Sequence, residues 1–467
     1  MLLKKILNSR WTYYGAALAL ALVAVWTQVK VHLPTRPSGT LADLNALRQR
    51  NDVNVVFILI DTLRADRLSS YGYGRPTSPF MDEIARRGVR FAHAESQSSW
   101  TKCSMASIWT TLVPPRSGIT RVEDAIPDQV ELPAEHLRAA GFRTGGIWRN
   151  AWVGSNFNFG QGFELYIRPT PSERTDRMEL RRRNPSVAAI AGTDEDATFS
   201  AVQFIEAHQS ERFFLYVHYM DVHQYVYDQV AADLKFGSGL SDSYDSAINW
   251  VDRNVAAIGQ ALDEHQLTRK TLVVIAADHG EGFTEHGEGH ARTLYSEVTH
   301  VPLILSLPFR LEPGVVVDSQ VRNVDIWPTV FDLLGVPFSG PTDGRSLVPL
   351  IEASADGKPA PASEVAVAYL DQTWGQEKEP SAPIVSVQRD GKRLIVGTKP
   401  ARLNLYDHAT DPTEQKSVAD QQPEVVAELR AQADALLAST PPWGQSPQIQ
   451  LDAFYREQLK ALGYVVK

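Results

Sequence analysis

The stretch that decides the fold of this chain is Leu272-Val273-Val274-Ile275-Ala276-Ala277-Asp278-His279-Gly280. Its apolar part predicts a buried strand, which ends in a carboxylate and an imidazole. A second apolar run, Val55–Ile60, ends in Asp61 in the same way. Because ligands bind at the carboxyl ends of strands in an open α/β sheet, we expect these side chains to meet. Two carboxylates and one imidazole suit a divalent metal ion.

The composition is that of a globular protein. The 467 residues are 43% hydrophobic and 22% charged, and the net charge is -9. An acidic chain of this kind gives no sign of a nucleic-acid surface, so we expect no nucleic-acid partner. A single cysteine, Cys103, excludes an intrachain disulfide framework.

The N-terminus predicts a membrane anchor. Residues 11–29 carry no charge, and their length matches the ~20 residues that cross a hydrocarbon core. Lys4, Lys5 and Arg10 precede them, so residues 1–10 are predicted to be a cytoplasmic tail. The chain is then a single-pass membrane protein with its main domain on the extracytoplasmic side. The alternative is a cleaved signal peptide.

A linker at 30–52 is predicted to lead into the main domain at 53–363. There, strand-like runs alternate with helical stretches, which predicts an α/β fold: a large mixed, mostly parallel sheet flanked by helices. Strands are predicted at Val53–Ile60, Phe213–Tyr219, Thr271–Ala277 and Val301–Leu307, and helices at Pro79–Arg87, Asp194–His208 and Tyr244–His265. Residues 170–193 are predicted to be an inserted surface loop.

A small antiparallel subdomain is predicted at 364–440. Glu364–Leu370 is strand-like, and Arg389-Asp390-Gly391-Lys392 separates two apolar runs, which is a strong hairpin signal. The remaining helices are predicted at Pro423–Ala438 and, within a tail at 441–467, at Leu451–Leu462.

Thr101 stands where a loop turns into a predicted helix. One interpretation is a helix N-cap, for which threonine is a favoured residue. The other is a nucleophile, because a metal ion and a helix N-terminus both activate a hydroxyl group. The residues alone leave both interpretations open.

Several motifs of this chain resemble the sulfatase family, within the alkaline phosphatase superfamily. The motifs are Val55–Phe91, Trp100-Thr101, Phe214–His223, Ala277–Glu281, Tyr295–Leu303, Val324–Thr329, Leu405-Tyr406-Asp407 and Asp411-Pro412. They follow the family's order from about Val53 to Ala438. The resemblance implies the family's α/β fold with a small C-terminal antiparallel subdomain, and an enzyme that acts on phosphoric or sulfuric ester bonds.

The resemblance also implies one divalent metal ion. Carried over residue by residue, its ligands are Asp61, Thr101, Asp278 and His279. Thr101 is then the catalytic nucleophile. Family members that bind calcium usually have a second Asp beside the first, where this chain has Thr62. An imidazole ligand favours Zn²⁺ or Mn²⁺ over Ca²⁺, which prefers oxygen ligands.

The nucleophile position departs from the formylglycine sulfatases, which carry Cys or Ser there, with Arg four residues later. Here the stretch is Thr101-Lys102-Cys103-Ser104-Met105. Thr101 cannot become formylglycine, and Met105 stands at the Arg position. With a threonine at the nucleophile position, the chain resembles three other groups of the superfamily: phosphoethanolamine transferases, phosphoglycerol transferases and nucleotide pyrophosphatase/phosphodiesterases.

Four residues are predicted to bind substrate. The resemblance implies ligands for substrate oxygens at His223 and His290. Lys102 and Arg64 are the nearest cations in sequence, and Lys102 faces either the substrate or solvent. The family's Gly-Lys-Trp-His-like motif is replaced by Trp148-Arg149-Asn150, so the family's substrates do not transfer to this chain.

The predicted function is therefore a metal-dependent hydrolase of a phosphate or related ester, acting through Thr101. The alternatives are a sulfuric ester hydrolase and a phospho-group transferase on a lipid or envelope glycan, with a non-catalytic binding module third. The predicted substrate is a small-molecule, lipid head-group or glycan ester near the membrane. The oligomeric state stays open.

Overall fold

Eight strands form one mixed sheet at the centre of the computed structural model. The structure describes residues 36–169, 192–225, 235–375, 380–451 and 453–461. The strands are β1 (Asn54–Ile60), β2 (Val89–Glu95), β3 (Arg143–Trp148), β4 (Leu165–Ile167), β5 (Phe213–Tyr219), β6 (Thr271–Ala276), β7 (His300–Ser306) and β8 (Val315–Arg322). Their order is β4-β3-β5-β1-β6-β7-β2-β8. Within this sheet, β7 is the strand that runs antiparallel to both neighbours. The predicted mostly parallel α/β sheet is confirmed.

Helices cover both faces of this sheet. They are α1 (Leu41–Ala46), α2 (Pro79–Arg87), α3 (Thr101–Thr110), α4 (Pro133–Ala139), α5 (Asp194–Ala207), α6 (Leu240–Glu264), α7 (Ser296–Thr299), α8 (Ile326–Leu334) and α9 (Val348–Asp356). Phe57 of β1 contacts Trp109 of α3 and Trp327 of α8. The next residue, Ile58, points to the other face and lies beside Phe80 of α2. Because both faces are covered, β1 and β6 are buried along their whole length.

A second sheet of four antiparallel strands follows. Its strands are β9 (Ala366–Asp371), β10 (Pro383–Arg389), β11 (Lys392–Thr398) and β12 (Ala401–Asp407), in the order β12-β11-β10-β9. The predicted hairpin joins β10 to β11, and Asp390 and Gly391 at its tip have φ angles of 50° and 72°. Positive φ at both positions is what a two-residue type I′ turn requires. Helix α10 (Pro423–Ala438) packs on β10 and β11, and α11 (Ala453–Ala461) comes last. The predicted C-terminal antiparallel subdomain is confirmed.

None of the described helices is long and apolar enough to cross a membrane. This finding contradicts the predicted localisation, a single-pass membrane protein with an extracytoplasmic catalytic domain, and leaves the predicted membrane partner without support. The proposed anchor itself, residues 11–29, lies outside the described residues, as does most of the predicted loop at 170–193.

One buried cation joins the two sheets. Arg393 of β11 is 1% exposed and pairs with Glu95 of β2 and with Glu414, at 3.0 and 2.7 Å. It also donates to Thr299 Oγ1 at 2.6 Å. Glu414 in turn accepts from the amide and the hydroxyl of Ser296. Since a buried ion is tolerated only with partners of this kind, the cluster fixes the C-terminal sheet against the main one.

We expect Arg393→Met to lower the free energy of unfolding by about 3–5 kcal/mol, because two buried carboxylates lose their counter-ion. Urea denaturation followed by tryptophan fluorescence measures the change. The matched control is Arg389→Met on the same hairpin, whose ion pair with Glu428 is partly exposed. Its loss costs less than about 1 kcal/mol. Similar losses for both variants would show that Arg393 does not hold the sheets together.

Candidate active site

The carboxyl ends of β1 and β6 bring the predicted metal ligands together. The two strands are parallel neighbours, with Leu59 opposite Ala276. Asp61 follows the first strand, and Asp278 and His279 follow the second. All three side chains are fully buried, and one ligand atom of each lies within 4.8 Å of the others. The structure thus assembles a group that can hold a metal ion.

The electrostatics of this group fit a cation. Asp61 Oδ1 and Asp278 Oδ2 are buried and have no hydrogen-bond partner in the part of the chain that the structure describes. Burial and the neighbouring charge of Asp61 raise the pKa of Asp278 to about 7. Two buried carboxylates repel each other without a counter-charge. A divalent ion would satisfy both free oxygens and remove that repulsion.

The second oxygen of Asp61 is held by protein groups. Asp61 Oδ2 accepts from Asn150 Nδ2 at 2.7 Å and from His218 Nε2 at 3.1 Å. Because a carboxylate only accepts, His218 Nε2 donates this hydrogen bond, and the other ring nitrogen, Nδ1, is hydrogen-bonded to the Tyr216 hydroxyl at 2.7 Å. Burial raises the pKa of Asp61, but the His218 hydrogen bond and the nearby imidazoles lower it below its usual value. The carboxylate is thus oriented with Oδ1 left for a metal ion.

We expect His218→Phe to lower the affinity for the metal ion about 10- to 100-fold, because Asp61 loses one of the two donors that orient it. His218→Gln, which keeps a side-chain N–H donor, is the matched variant and should lose less. Competition with a fluorescent chelator measures both affinities. Wild-type affinity in the Phe variant would rule out an orienting role for this histidine.

Thr101 meets the metal group at the start of α3. The hydroxyl oxygen Oγ1 lies 3.1 Å from His279 Nε2 and 3.4 Å from Asn150 Nδ2. The N-cap residue of the helix is Trp100, so the N-cap interpretation of Thr101 is wrong. Thr101 is the first helical residue and is fully buried. Its hydroxyl therefore stands at a positive helix end beside the candidate metal ligands.

The two predicted substrate-binding histidines lie next to this group. The His290 ring is centred 4.6 Å from the His279 ring and 4.8 Å from the His223 ring. Glu281 Oε2 accepts from His290 Nδ1 at 3.1 Å. Burial lowers the pKa of both His223 and His290, the latter to about 4, so both rings are neutral at pH 7. His223 Nε2 is buried and has no partner among the described residues, which suits a contact with substrate.

The two predicted cationic residues, Lys102 and Arg64, are bonded to protein groups. Lys102 is fully buried, and its ammonium donates to the carbonyls of Arg121 and Val122 at 3.1 and 2.5 Å. Arg64 pairs with Asp66 and Glu285, each at 2.8 Å. Arg64 also donates to the carbonyl of Glu281 at 2.9 Å, two residues after His279. Burial lowers the pKa of Lys102 to about 7. The substrate-binding role of Lys102 and Arg64 stays a prediction.

The sequence assigned no role to Asn150, and it left His218 open between a solvated polar residue and a residue that orients a ligand of the site. His218 is the sixth residue of β5, a strand that the sequence predicted. The available signal was an imidazole within an otherwise apolar strand. Asn150 follows β3, which was not predicted, because Arg143 and two glycines interrupt its apolar pattern. A polar residue just after a strand was the available signal.

A family model described as Sulfatase matches residues 53–336, more than half of the chain. The chain belongs to the sulfatase family. A second model, N-sulphoglucosamine sulphohydrolase, C-terminal, matches residues 284–439 of this sulfatase. Membership confirms the resemblance and supports the predicted class of enzyme, a sulfatase-like hydrolase or transferase that acts on phosphoric or sulfuric ester bonds. Thr101 as the nucleophile stays a prediction.

Relatives of this sulfatase cover it to different extents. It is 24% identical to the N-acetylgalactosamine-6-O-sulfatase of Bacteroides thetaiotaomicron, over 80% of this chain and 91% of that protein. It is 29% identical to arylsulfatase K of Xenopus laevis, over 38% of this chain and 33% of that one. It is 25% identical to the arylsulfatase of Hemicentrotus pulcherrimus, over 65% and 62% of the two chains. The sulfatase therefore matches less than two thirds of the length of either arylsulfatase.

Solved structures share the fold. A putative sulfatase from Bacteroides thetaiotaomicron superposes with a TM-score of 0.67 at 20% identity, over 83% of this chain and 92% of the other. The phosphonate monoester hydrolase of Agrobacterium radiobacter does so with a TM-score of 0.63 at 19% identity, over 83% and 95% of the two chains. At these identities the likeness concerns the fold alone.

Proposed function

We propose that this sulfatase hydrolyses sulfuric esters, with Thr101 as nucleophile and a divalent ion held by Asp61, Asp278 and His279. The observation that carries the proposal is the position of Thr101 Oγ1, 3.1 Å from His279 Nε2 at the buried first turn of α3. The names of its relatives support a sulfate ester as the substrate. This is the sulfuric ester alternative from the sequence, and it is better supported than the phosphate ester that the sequence favoured.

The proposed reaction has two steps. Thr101 Oγ1 attacks sulfur, the Oγ1–S bond forms, the S–O bond to the alcohol breaks, and the proton of the hydroxyl is balanced by the one that the alcohol gains. Water then attacks the same sulfur and releases sulfate, which restores the threonine. When bound, the divalent ion supplies positive charge that favours the alkoxide and neutralises the substrate's oxygens. His223 and His290 flank the site on the substrate side.

We propose Zn²⁺ or Mn²⁺ as the bound ion. His279 offers an imidazole nitrogen, a ligand that these ions accept more readily than Ca²⁺ does. The hydroxyl of Thr62, at the place of a possible second carboxylate, donates to the backbone carbonyl of Asp61 at 2.7 Å. The Thr62 hydroxyl is thus bonded to the backbone, and it does not take the place of a second carboxylate ligand. Metal analysis of the protein after purification without added metal identifies the ion.

One observation favours a second candidate, hydrolysis of a phosphate diester or phosphonate ester. The carbon that carries the ester oxygen of a modified threonine has no second hydroxyl group that could expel sulfate. Water must therefore attack the transferred sulfur or phosphorus atom itself. That route is established chemistry for phosphorus, where positioning and charge neutralisation supply most of the catalysis. The threonine at position 101 therefore favours this second candidate.

A substrate panel decides between the two candidates. The full-length protein, loaded with Zn²⁺ or Mn²⁺, is assayed on 4-nitrophenyl sulfate, 4-nitrophenyl phosphate, bis(4-nitrophenyl) phosphate, a 4-nitrophenyl phosphonate and N-acetylgalactosamine 6-sulfate. The last compound follows from the name of one relative. We expect sulfate release that a chelator stops. Faster turnover of a phosphorus ester would establish the second candidate, and no turnover of any compound would contradict both.

A further inference from the structure

The amide of Asn150 is fixed by contacts on both of its ends. Asn150 Oδ1 accepts from the backbone N–H of Trp152 at 2.9 Å. Asn150 Nδ2 therefore points the other way, where it donates to Asp61 Oδ2 at 2.7 Å. A carboxylate oxygen can only accept, so this contact independently assigns the NH₂ group to that side. The same nitrogen, which has a second N–H group, lies 3.4 Å from Thr101 Oγ1.

The backbone that carries Asn150 is rigidly supported. The preceding residue, Arg149, is 2% exposed and forms ion pairs with Asp194 and Asp221. Asp194 also accepts from the backbone N–H of Asp221 at 2.7 Å, which ties the end of β3 to the segment after β5. These buried ion pairs fix the residue that directly precedes Asn150. The amide is thus held in place before any substrate binds, as electrostatic preorganisation requires.

The segments of Asn150 and Thr101 also pack on each other. Trp152 and Trp100 meet edge to face, with ring centres 5.1 Å apart and an interplanar angle of 87°. Trp100 directly precedes Thr101, and Trp152 is the residue whose N–H fixes the Asn150 amide. The indole pair therefore couples the positions of the donor and the hydroxyl oxygen.

We propose that Asn150 is a catalytic residue whose Nδ2–H donates to Thr101 Oγ1 during the attack on the ester. This inference rests on the proposed function. The N–H stabilises the negative charge on Oγ1 as the hydroxyl loses its proton at the start of the attack, and again as Oγ1 leaves sulfur in the second step. Asn150 is neutral, so it contributes a dipole without changing the charge of the site and without exchanging a proton. The bonds that form and break are those of the two-step reaction, and Asn150 returns unchanged.

Two variants separate this role from the support of Asp61. Asn150→Ala removes the donor, and Asn150→Asp replaces it with an acceptor of the same shape. We expect kcat to fall about 100-fold in the Ala variant and further in the Asp variant, with KM within about threefold of wild type. Asn158→Asp is the matched control, because the Asn158 amide donates to the carbonyl of Ile126 and takes no part in the site. It should keep wild-type kcat.

A measurement without turnover completes the test. Orthovanadate, which adopts the five-coordinate geometry of the transferred group, is titrated into metal-loaded wild type, Asn150→Ala and Thr101→Ala. We expect both variants to bind vanadate about 100-fold more weakly at a metal concentration that saturates each of them, while chelator competition shows a loss of metal affinity in Asn150→Ala like that of His218→Phe, about 10- to 100-fold. Vanadate affinity equal to wild type in Asn150→Ala at saturating metal, or an equal loss of vanadate affinity in His218→Phe, overturns the inference. Failure of the proposed function would instead appear as a wild type that turns over no ester.

Discussion

Replacing Thr101 by alanine is expected to lower kcat by about 10⁴-fold or more, whichever ester the enzyme hydrolyses. The reason is that the variant keeps the metal group and loses the hydroxyl that we propose as the nucleophile, and loss of a nucleophile has effects of this size. Initial rates on the most reactive aryl ester of the panel measure the change. Metal content should stay close to wild type, since Asp61, Asp278 and His279 remain.

Two further variants control this result. Thr101→Ser keeps the hydroxyl and should retain a measurable fraction of the activity. Thr110→Ala, at the other end of α3, removes a hydroxyl that donates to the carbonyl of Ala106 at 2.7 Å and should leave kcat nearly unchanged. If Thr101→Ala kept a tenth or more of the wild-type kcat, a bound water rather than the threonine would be the nucleophile.

Asp278→Asn is expected to weaken metal binding by more than about 100-fold, beyond the 10- to 100-fold typical of an orienting residue. The change removes one of two negative charges that face the ion and leaves a neutral amide. Isothermal titration with Zn²⁺ and Mn²⁺ measures the affinity. The metal-free variant should also melt at a higher temperature than metal-free wild type, because the repulsion between Asp278 and Asp61 is gone.

The matched control for this variant is Asp252→Asn. Asp252 is another buried carboxylate, but it accepts from the backbone N–H groups of Phe80 and Met81, at 3.0 and 2.9 Å. Its replacement should lower stability and leave metal affinity unchanged. Wild-type metal stoichiometry and affinity in Asp278→Asn would refute the metal site at the ends of β1 and β6.

The sequence predicted best where a local pattern meets little competition. The strand Phe213–Tyr219 and the helices Pro79–Arg87 and Pro423–Ala438 have the predicted bounds. The Asp-Gly hairpin also formed, because its turn requires positive φ that few residues adopt. Parallel strands end at one edge, so the meeting of Asp61, Asp278 and His279 followed from the pattern.

Tertiary contacts decided what the sequence did not predict. Lysine is usually a surface residue, but Lys102 is buried. Its ammonium donates to two backbone carbonyls and lies 3.7 Å from the centre of the Phe157 ring. The inner strand β2, which lies between β7 and β8, was missed because Val89–Glu95 mixes polar and apolar residues instead of forming an apolar run. Asn150 became part of the site through the register of β3 beside β5, which no local pattern records.

The Arg393 cluster has a consequence for the order in which the chain is made. Glu95 leaves the ribosome early, and its counter-ion follows 298 residues later. A nascent chain that ends before β11 must either bury this carboxylate alone or leave its end of β2 unpacked, and an unpaired buried charge is costly. The eight-stranded sheet is therefore expected to reach its final packing only after the hairpin of β10 and β11 has emerged. The last step in the folding of the main sheet therefore depends on residues in the C-terminal third of the chain.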